Sequence, residues 1–130
     1  MTGTDIYTAA LAFLAEGPDV DPDLKLYSLP WLNILLAECL AVENSIRQAG
    51  GEKALPSAPM LESLTEEIPY SEPIVRTALP YGLASFFYLD DGNDYRAEDF
   101  RARYVSALNE AQKYLDGAVE DLYGEEEENA

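Results

Sequence analysis

The stretch Leu64–Leu108, LTEEIPYSEPIVRTALPYGLASFFYLDDGNDYRAEDFRARYVSAL, decides the fold of this 130-residue chain. An acidic loop leads into Ser71-Glu72-Pro73, a helix start with proline in the tolerant first turn. The helix it opens should run from near Ser71 to near Asp90. Pro80 falls inside it, where a missing N–H and a ring clash leave the Arg76 carbonyl without its usual partner. The sequence therefore predicts a kink at Pro80, or two short helices meeting at Leu79-Pro80. Gly82, Ala84 and Ser85 are small enough to admit a neighbouring helix, with Leu83, Phe86, Phe87 and Leu89 as bulk beside them. Gly92 suits a left-handed residue ending this helix, and Asn93 or Asp94 can cap the next.

That next helix should be the longest, from Tyr95 to about Tyr123, or roughly 43 Å. Phe100, Tyr104, Ala107, Leu108, Ala111, Leu115, Ala118 and Leu122 give its apolar stripe. Gly124–Ala130, with four adjacent glutamates, reads as a frayed acidic tail, leaving residues 1–123 as one helical domain. Upstream, Thr4 to Glu16 has helical spacing through Ile6, Ala9, Ala10, Phe13 and Leu14. Thr4 is its candidate cap, and Gly17-Pro18 its stop. A second helix spans Leu29 to Gln48, capped by Ser28, with Leu32, Leu35, Leu36, Cys39, Val42, Glu43 and Ile46 on one face. Glu43 is the one polar interruption of that face. Residues 50–70 start at a Gly pair and hold three prolines without a sustained period, so they read as an extended loop. The expected fold is an all-α bundle of about four helices.

Charge is the compositional outlier: 25 acids against 8 bases give −17, with no histidine and one cysteine. Such a surface repels nucleic acid, whose affinity comes mostly from Lys and Arg neutralising phosphates. One cysteine allows no internal disulfide and fits a reducing compartment. The start, MTGTDIYTAALAFLAEG, has no basic region and carries Asp5, unlike a secretory signal. No uncharged apolar run reaches the ~18 residues that span a bilayer.

Without histidine, Ser-His-Asp, Cys-His and imidazole metal chemistry are excluded. Cys39 lies on an apolar helix face with no flanking base, as expected of a small buried hydrophobe. Asp19, Asp21 and Asp23 suggest a calcium loop, but the positions needing Gly and Glu hold Leu24 and Pro30. Asp90, Asp91 and Asp94 fail likewise, so turn and capping roles are expected for all six. No catalytic residue, metal or cofactor is expected.

Candidate functional residues are those of an interface. Arg96, Arg101 and Arg103 make the one local concentration of positive charge, either pairing with Glu98 and Asp99 or docking an acidic neighbour. Trp31, Tyr70, Tyr81 and Tyr88 either complete the core or supply interface anchors; Tyr70 and Tyr81 are carried forward as interface candidates.

The order of these elements resembles the small all-helical proteins of tailed bacteriophages and prophages that join the portal to the tail. The resemblance lies in the Glu66-Glu67-Ile68-Pro69 loop, the helix with Leu79-Pro80-Tyr81-Gly82-Leu83-Ala84, and the helix from Phe100 to Tyr104. Leu29–Arg47, LPWLNILLAECLAVENSIR, is similar to the helix preceding that loop in such proteins. The resemblance implies a head-to-tail connector, or head-completion adaptor, that forms a homo-oligomeric ring beneath the portal. It implies portal and tail-completion partners, no active site, no specific nucleic-acid or membrane binding, and residence in the bacterial cytoplasm and then the virion. Loop 52–70 could then reach a neighbouring subunit. The acidic C-terminal end departs from the pattern, where an extended docking segment is common. An alternative from another class is an acidic DNA-mimic inhibitor of a host nucleic-acid-binding protein; a small acid–base enzyme is a third.

Overall fold

The computed structural model describes residues 1–14 and 21–128, and from Tyr114 on only the backbone path. Its elements are α1 (Gly3–Leu14), α2 (Asp23–Ala49), a π-helical turn (Ile74–Ala78) running directly into α3 (Leu79–Asp90), and α4 (Asp94–Glu128). Among the described residues an isolated bridge between Thr2 and Glu67 is the one β-type pairing. The fold is all-α, as expected. The expected Gly17-Pro18 stop and Asp19 lie outside the described residues.

The helix starts differ in instructive ways. Thr2, not Thr4, caps α1: its Oγ1 accepts from Asp5 N–H (3.2 Å) while Asp5 Oδ2 accepts from Thr2 N–H (2.9 Å), a reciprocal capping box. The backbone hydrogen bond from Thr2 holds the exposed Asp5 carboxyl below the usual aspartate range. α2 begins six residues before Leu29, at Asp23, whose N–H donates to Asp21 Oδ1 (2.9 Å). Ser28 therefore lies inside the helix, buried, with its hydroxyl turned back to the Leu24 carbonyl (2.6 Å). Pro30 is likewise interior, on the exposed side of the helix. Asn93 caps α4, accepting from Arg96 N–H (3.2 Å).

The Pro80 helix breaks register where the sequence placed the conflict. Leu79 N–H reaches back to the Ile74 carbonyl, a five-residue step that widens the turn just before the proline. A π turn skips one carbonyl of the ordinary ladder. Thr77 Oγ1 also donates to the Pro73 carbonyl within this turn (2.5 Å). At the other end, Gly92 takes φ 76°, and the Asn93 and Gly92 N–H groups bond the Tyr88 and Leu89 carbonyls. This left-handed cap satisfies carbonyls that a right-handed residue could not turn to reach. α4 then runs to Glu128, about 52 Å at 1.5 Å per residue. The backbone is thus helical over Gly124–Glu128, where the sequence reading placed a frayed tail.

α3 is the central element, packed against α1, α2 and α4. Ile6 and Ala10 of α1, Leu32, Leu35, Leu36 and Cys39 of α2, Leu83 and Phe87 of α3, and Phe100 and Tyr104 of α4 build one core. Gly82 is required by that packing. A Cβ there would sit 2.8 Å from Leu35 Cδ2 and 3.0 Å from the Tyr104 ring, so a methyl group would require the Leu35 side chain to shift. α2 is the one described helix long and apolar enough on average to cross a bilayer, but its buried residues are core partners of the other helices.

Candidate interface surfaces

The 52–70 loop is tied to its own chain. Asn33 accepts from Leu61 N–H (2.8 Å) and donates to the Leu61 carbonyl (3.0 Å). Asn44, 11 residues further along α2, does the same with Leu55 (2.7 and 3.1 Å). Each carboxamide stands in for a paired backbone peptide, so the loop has two fixed points without forming a strand. Glu43 adds a third, accepting from Ser71 N–H (2.6 Å), Ser71 Oγ (3.1 Å) and Arg47 Nε (2.8 Å). Arg47 in turn donates to the Pro69 carbonyl (2.6 Å). Glu43 is 1% exposed, and the charge partner and Ser71 donors make that burial tolerable. A loop held at Leu55, Leu61 and Pro69–Ser71 is a strap over α2, not a free arm toward a neighbour.

Arg96, Arg101 and Arg103 do not converge. Residues 101 and 103 lie roughly 160° apart around a helix, so their side chains leave α4 in opposite directions. Arg101 reaches Glu38 of α2 with both terminal nitrogens (3.0 Å each) and covers the Tyr104 ring at 4.8 Å. The hydrogen bonds from Arg101 hold the Glu38 carboxyl below the usual range, and Glu38 raises the Arg101 pKa in turn. Arg103 pairs with Asp99 (3.3 Å) and lies over Phe100 at 5.0 Å; Arg96 lies over Tyr88 at 5.8 Å. All three cations have partners within the chain, and no joint basic patch exists.

Behind Arg101 lies a buried polar chain. Tyr104 OH bonds Glu38 Oε1 (3.1 Å) and meets Cys39 Sγ (3.3 Å). Burial pushes the Cys39 thiol up to about 11, only partly offset by its hydrogen bond to Tyr104. Burial also raises the Tyr104 phenol far above its ordinary value, helped by the bond to Cys39. At neutral pH this is a protonated structural thiol, as its apolar helix face suggested.

The aromatic candidates divide. Tyr70 is 7% exposed, and its hydroxyl donates to the Leu36 carbonyl. Its ring belongs to the core, which removes it from the interface set. Tyr88 is also buried, stacked on Phe100 (5.5 Å, 26°) with its hydroxyl on the Phe13 carbonyl (3.2 Å). Tyr81 is half-buried between Phe13 (5.1 Å) and Phe100 (6.3 Å), and its free edge enters a groove of ≈ 720 Å³. Pro73 and Thr77 form one wall of that groove, and Ala102, Arg103 and Ser106 of α4 the other. Of the five interface candidates, Tyr81 and Arg103 meet here; Arg96, Arg101 and Tyr70 do not.

No family model, curated protein or solved structure matches this chain.

A second surface escaped the sequence reading. Trp31 is half-buried, stacked on Phe86 (5.7 Å, 15°) and flanked by Tyr27 (5.6 Å). Leu26 (69%), Ile34 (49%) and Leu89 (57%) are exposed large apolar residues on the same α2 and α3 elements. The signal was present as Leu26, Pro30, Ile34, Ala37 and Ala41, an uncharged stripe at helical spacing. A helix taken to begin at Leu29 hides it, because that start leaves out the first turn and a half of α2. Of the aspartates, Asp21 serves the α2 start, and no group of three or more Cys, Asp or Glu side chains converges on one point among the described residues.

Proposed function

We propose that the protein is a structural assembly component of a tailed phage or prophage: a head-to-tail connector adaptor that forms a ring beneath the portal. The observation that carries this reading is the order of motifs in residues 64–104, from the Glu-Glu-Ile-Pro loop through the Leu-Pro-Tyr-Gly-Leu-Ala helix to the Phe100–Tyr104 helix. The all-α bundle is the fold class that the resemblance implies. A net charge of −17 suits a conduit wall, because carboxylates repel the phosphates of passing DNA. Its partners are then the portal, tail-completion proteins and further copies of itself, first in the bacterial cytoplasm and then in the virion.

The same charge favours one other reading, an acidic mimic of DNA that occupies a host nuclease or repressor. A mimic needs free carboxylates spaced like phosphates over one face. Here many serve the chain itself: Glu66 Oε2 accepts from Glu62 and Ser63 N–H, Glu43 holds Ser71, and Glu38 holds Arg101. The connector reading is tested by size-exclusion chromatography with the portal encoded at the same locus. Co-elution as one large complex is expected. Failure to bind portal, with capture of a basic nuclease or repressor from host lysate instead, replaces the connector by the mimic.

A further inference from the structure

The exposed apolar patch on α2 and α3 has an acidic border that the chain's own bases do not neutralise. Tyr27 and Ile34 of α2 and Leu89 of α3 are exposed, and Trp31, stacked on Phe86, links the two helices. Asp23 lies one turn before Tyr27 and Asp90 one turn after Phe86, so each shares a helix face with its aromatic neighbour. Beyond Phe86, between α3 and α4, a groove of ≈ 360 Å³ is lined by Phe86, Leu89 and Ala97 together with Asp94 and Glu98.

Asp23, Asp90, Asp94 and Glu98 are all exposed. The chain's eight bases all lie among the described residues, and none of them forms an ion pair with these four carboxylates. Arg101 lines the same groove, but both its terminal nitrogens are turned to Glu38 of α2 (3.0 Å each), so that pair adds no net charge. Lys25 lies over Tyr7, and Arg96 over Tyr88. Asp94 and Glu98, one turn apart on α4, repel each other, and a cation placed between them relieves this. Such a cation comes from another molecule.

We infer that this patch is a docking surface for a basic amphipathic segment of another protein, one that presents apolar side chains flanked by Lys or Arg. The apolar anchors pack against Trp31, Phe86 and Leu89, and the flanking cations meet Asp94 and Glu98. An aromatic centre supplies affinity, and a charged rim supplies steering and partner choice. The border decides between occupants. A second copy brings −17 of its own, a nucleic acid brings phosphates and an anionic membrane its headgroups, so all three are repelled. A wholly apolar partner would desolvate the border carboxylates without pairing them. A basic amphipathic segment satisfies both the rings and the carboxylates. The docking face does not depend on a portal: its partner is defined by charge and apolar anchors.

Trp31 is the only tryptophan in the chain, so its fluorescence reports on this patch. The probe is a synthetic peptide of about 16 residues, long enough to form a helix, with Leu along one face and Lys elsewhere. Added to the full chain, it should shift Trp31 emission saturably to shorter wavelength. Salt at about 0.5 M should weaken binding about tenfold or more, because screening removes the attraction of the border. Matched peptides with Glu in place of Lys, or Ser in place of Leu, should leave the emission unmoved. Asp94→Asn with Glu98→Gln removes two border charges, and Glu72→Gln with Glu110→Gln removes two exposed charges elsewhere. Circular dichroism checks that both double variants stay folded. The border pair should weaken binding about tenfold or more, and the remote pair less than about twofold. Trp31 emission that stays unmoved at about 1 mM Lys/Leu peptide overturns the proposal. So does equal binding of the Glu/Leu peptide, or a remote pair that costs as much as the border pair, which would reduce the attraction to bulk charge.

Discussion

Replacing Glu43 by Ala removes the acceptor on which the return of the strap depends. Three donors meet this carboxylate: Ser71 N–H at 2.6 Å, Ser71 Oγ at 3.1 Å and Arg47 Nε at 2.8 Å. Breaking a buried ion pair from one side costs about 3–5 kcal/mol, because the partner is left desolvated and unpaired. Arg47 is not left wholly alone, since it still reaches the Pro69 carbonyl and lies 3.9 Å from Glu52. That places Glu43→Ala near the lower end, about 3 kcal/mol, or roughly 12 °C in Tm for a chain of this size. Glu43→Gln keeps an acceptor for Ser71 but loses the charge assistance, so about 1–2 kcal/mol is expected. Urea unfolding followed by far-ultraviolet circular dichroism measures both, and a double-mutant cycle with Arg47→Met isolates the pair. If Glu43→Ala costs less than about 1 kcal/mol, the buried carboxylate does not hold the strap and the reasoning fails.

Asn33→Ala and Asn44→Ala each strand a backbone N–H and carbonyl, at Leu61 and Leu55 respectively, and should cost about 1–3 kcal/mol apiece. Limited proteolysis should then cut residues 52–62 faster than in the wild type; unchanged cleavage would mean that the strap is held elsewhere. Gly82→Ala gains about 1 kcal/mol of helix propensity but overpacks against Leu35 and Tyr104 at about 1–3 kcal/mol, so a net loss of stability is expected in thermal melts. Cys39 should resist thiol reagents at pH 8 in the native state and react once denatured. Its thiol ionises in the unfolded chain near 9.0 but in the folded chain only at about 11, so its contribution is intact below the first value and lost as pH rises toward the second. Urea midpoints measured across that alkaline range should fall; a flat profile would contradict the buried, protonated thiol.

The fold class was legible because the periodic signals agree with one another. The face Leu32, Leu35, Leu36, Cys39 and Glu43 is the buried face of α2, and Phe100, Tyr104 and Ala111 are buried on α4. Pro80 announced its register break, and Gly92 its left-handed cap, since each residue type has few alternatives at such a position. Boundaries were less legible. Ser28 looks like a cap in sequence, but the Asp23–Tyr27 run is also competent to form helix, and the buried Leu24 extends α2 backward. The strap was illegible for a different reason. Asn33, Asn44 and Arg47 read as ordinary solvent-facing polar residues, and their partners Leu55, Leu61 and Pro69 lie 11 to 28 residues away. Likewise, the basic trio is a cluster only along the chain; helical geometry sends Arg101 and Arg103 to opposite sides. Tyr70 was misplaced because nothing in its local sequence reveals the Leu36 carbonyl that takes its hydroxyl.

Assembly as a ring on a portal, proposed above, can be observed on intact particles. Mass photometry of the portal from the same locus, titrated with this protein, reads it most directly. A jump from free portal to portal carrying a fixed full complement of copies, with few partly filled species, is expected if each added copy contacts both the portal and its neighbour. Unchanged portal mass at saturating protein, or gradual independent loading with no preferred final number, would contradict it.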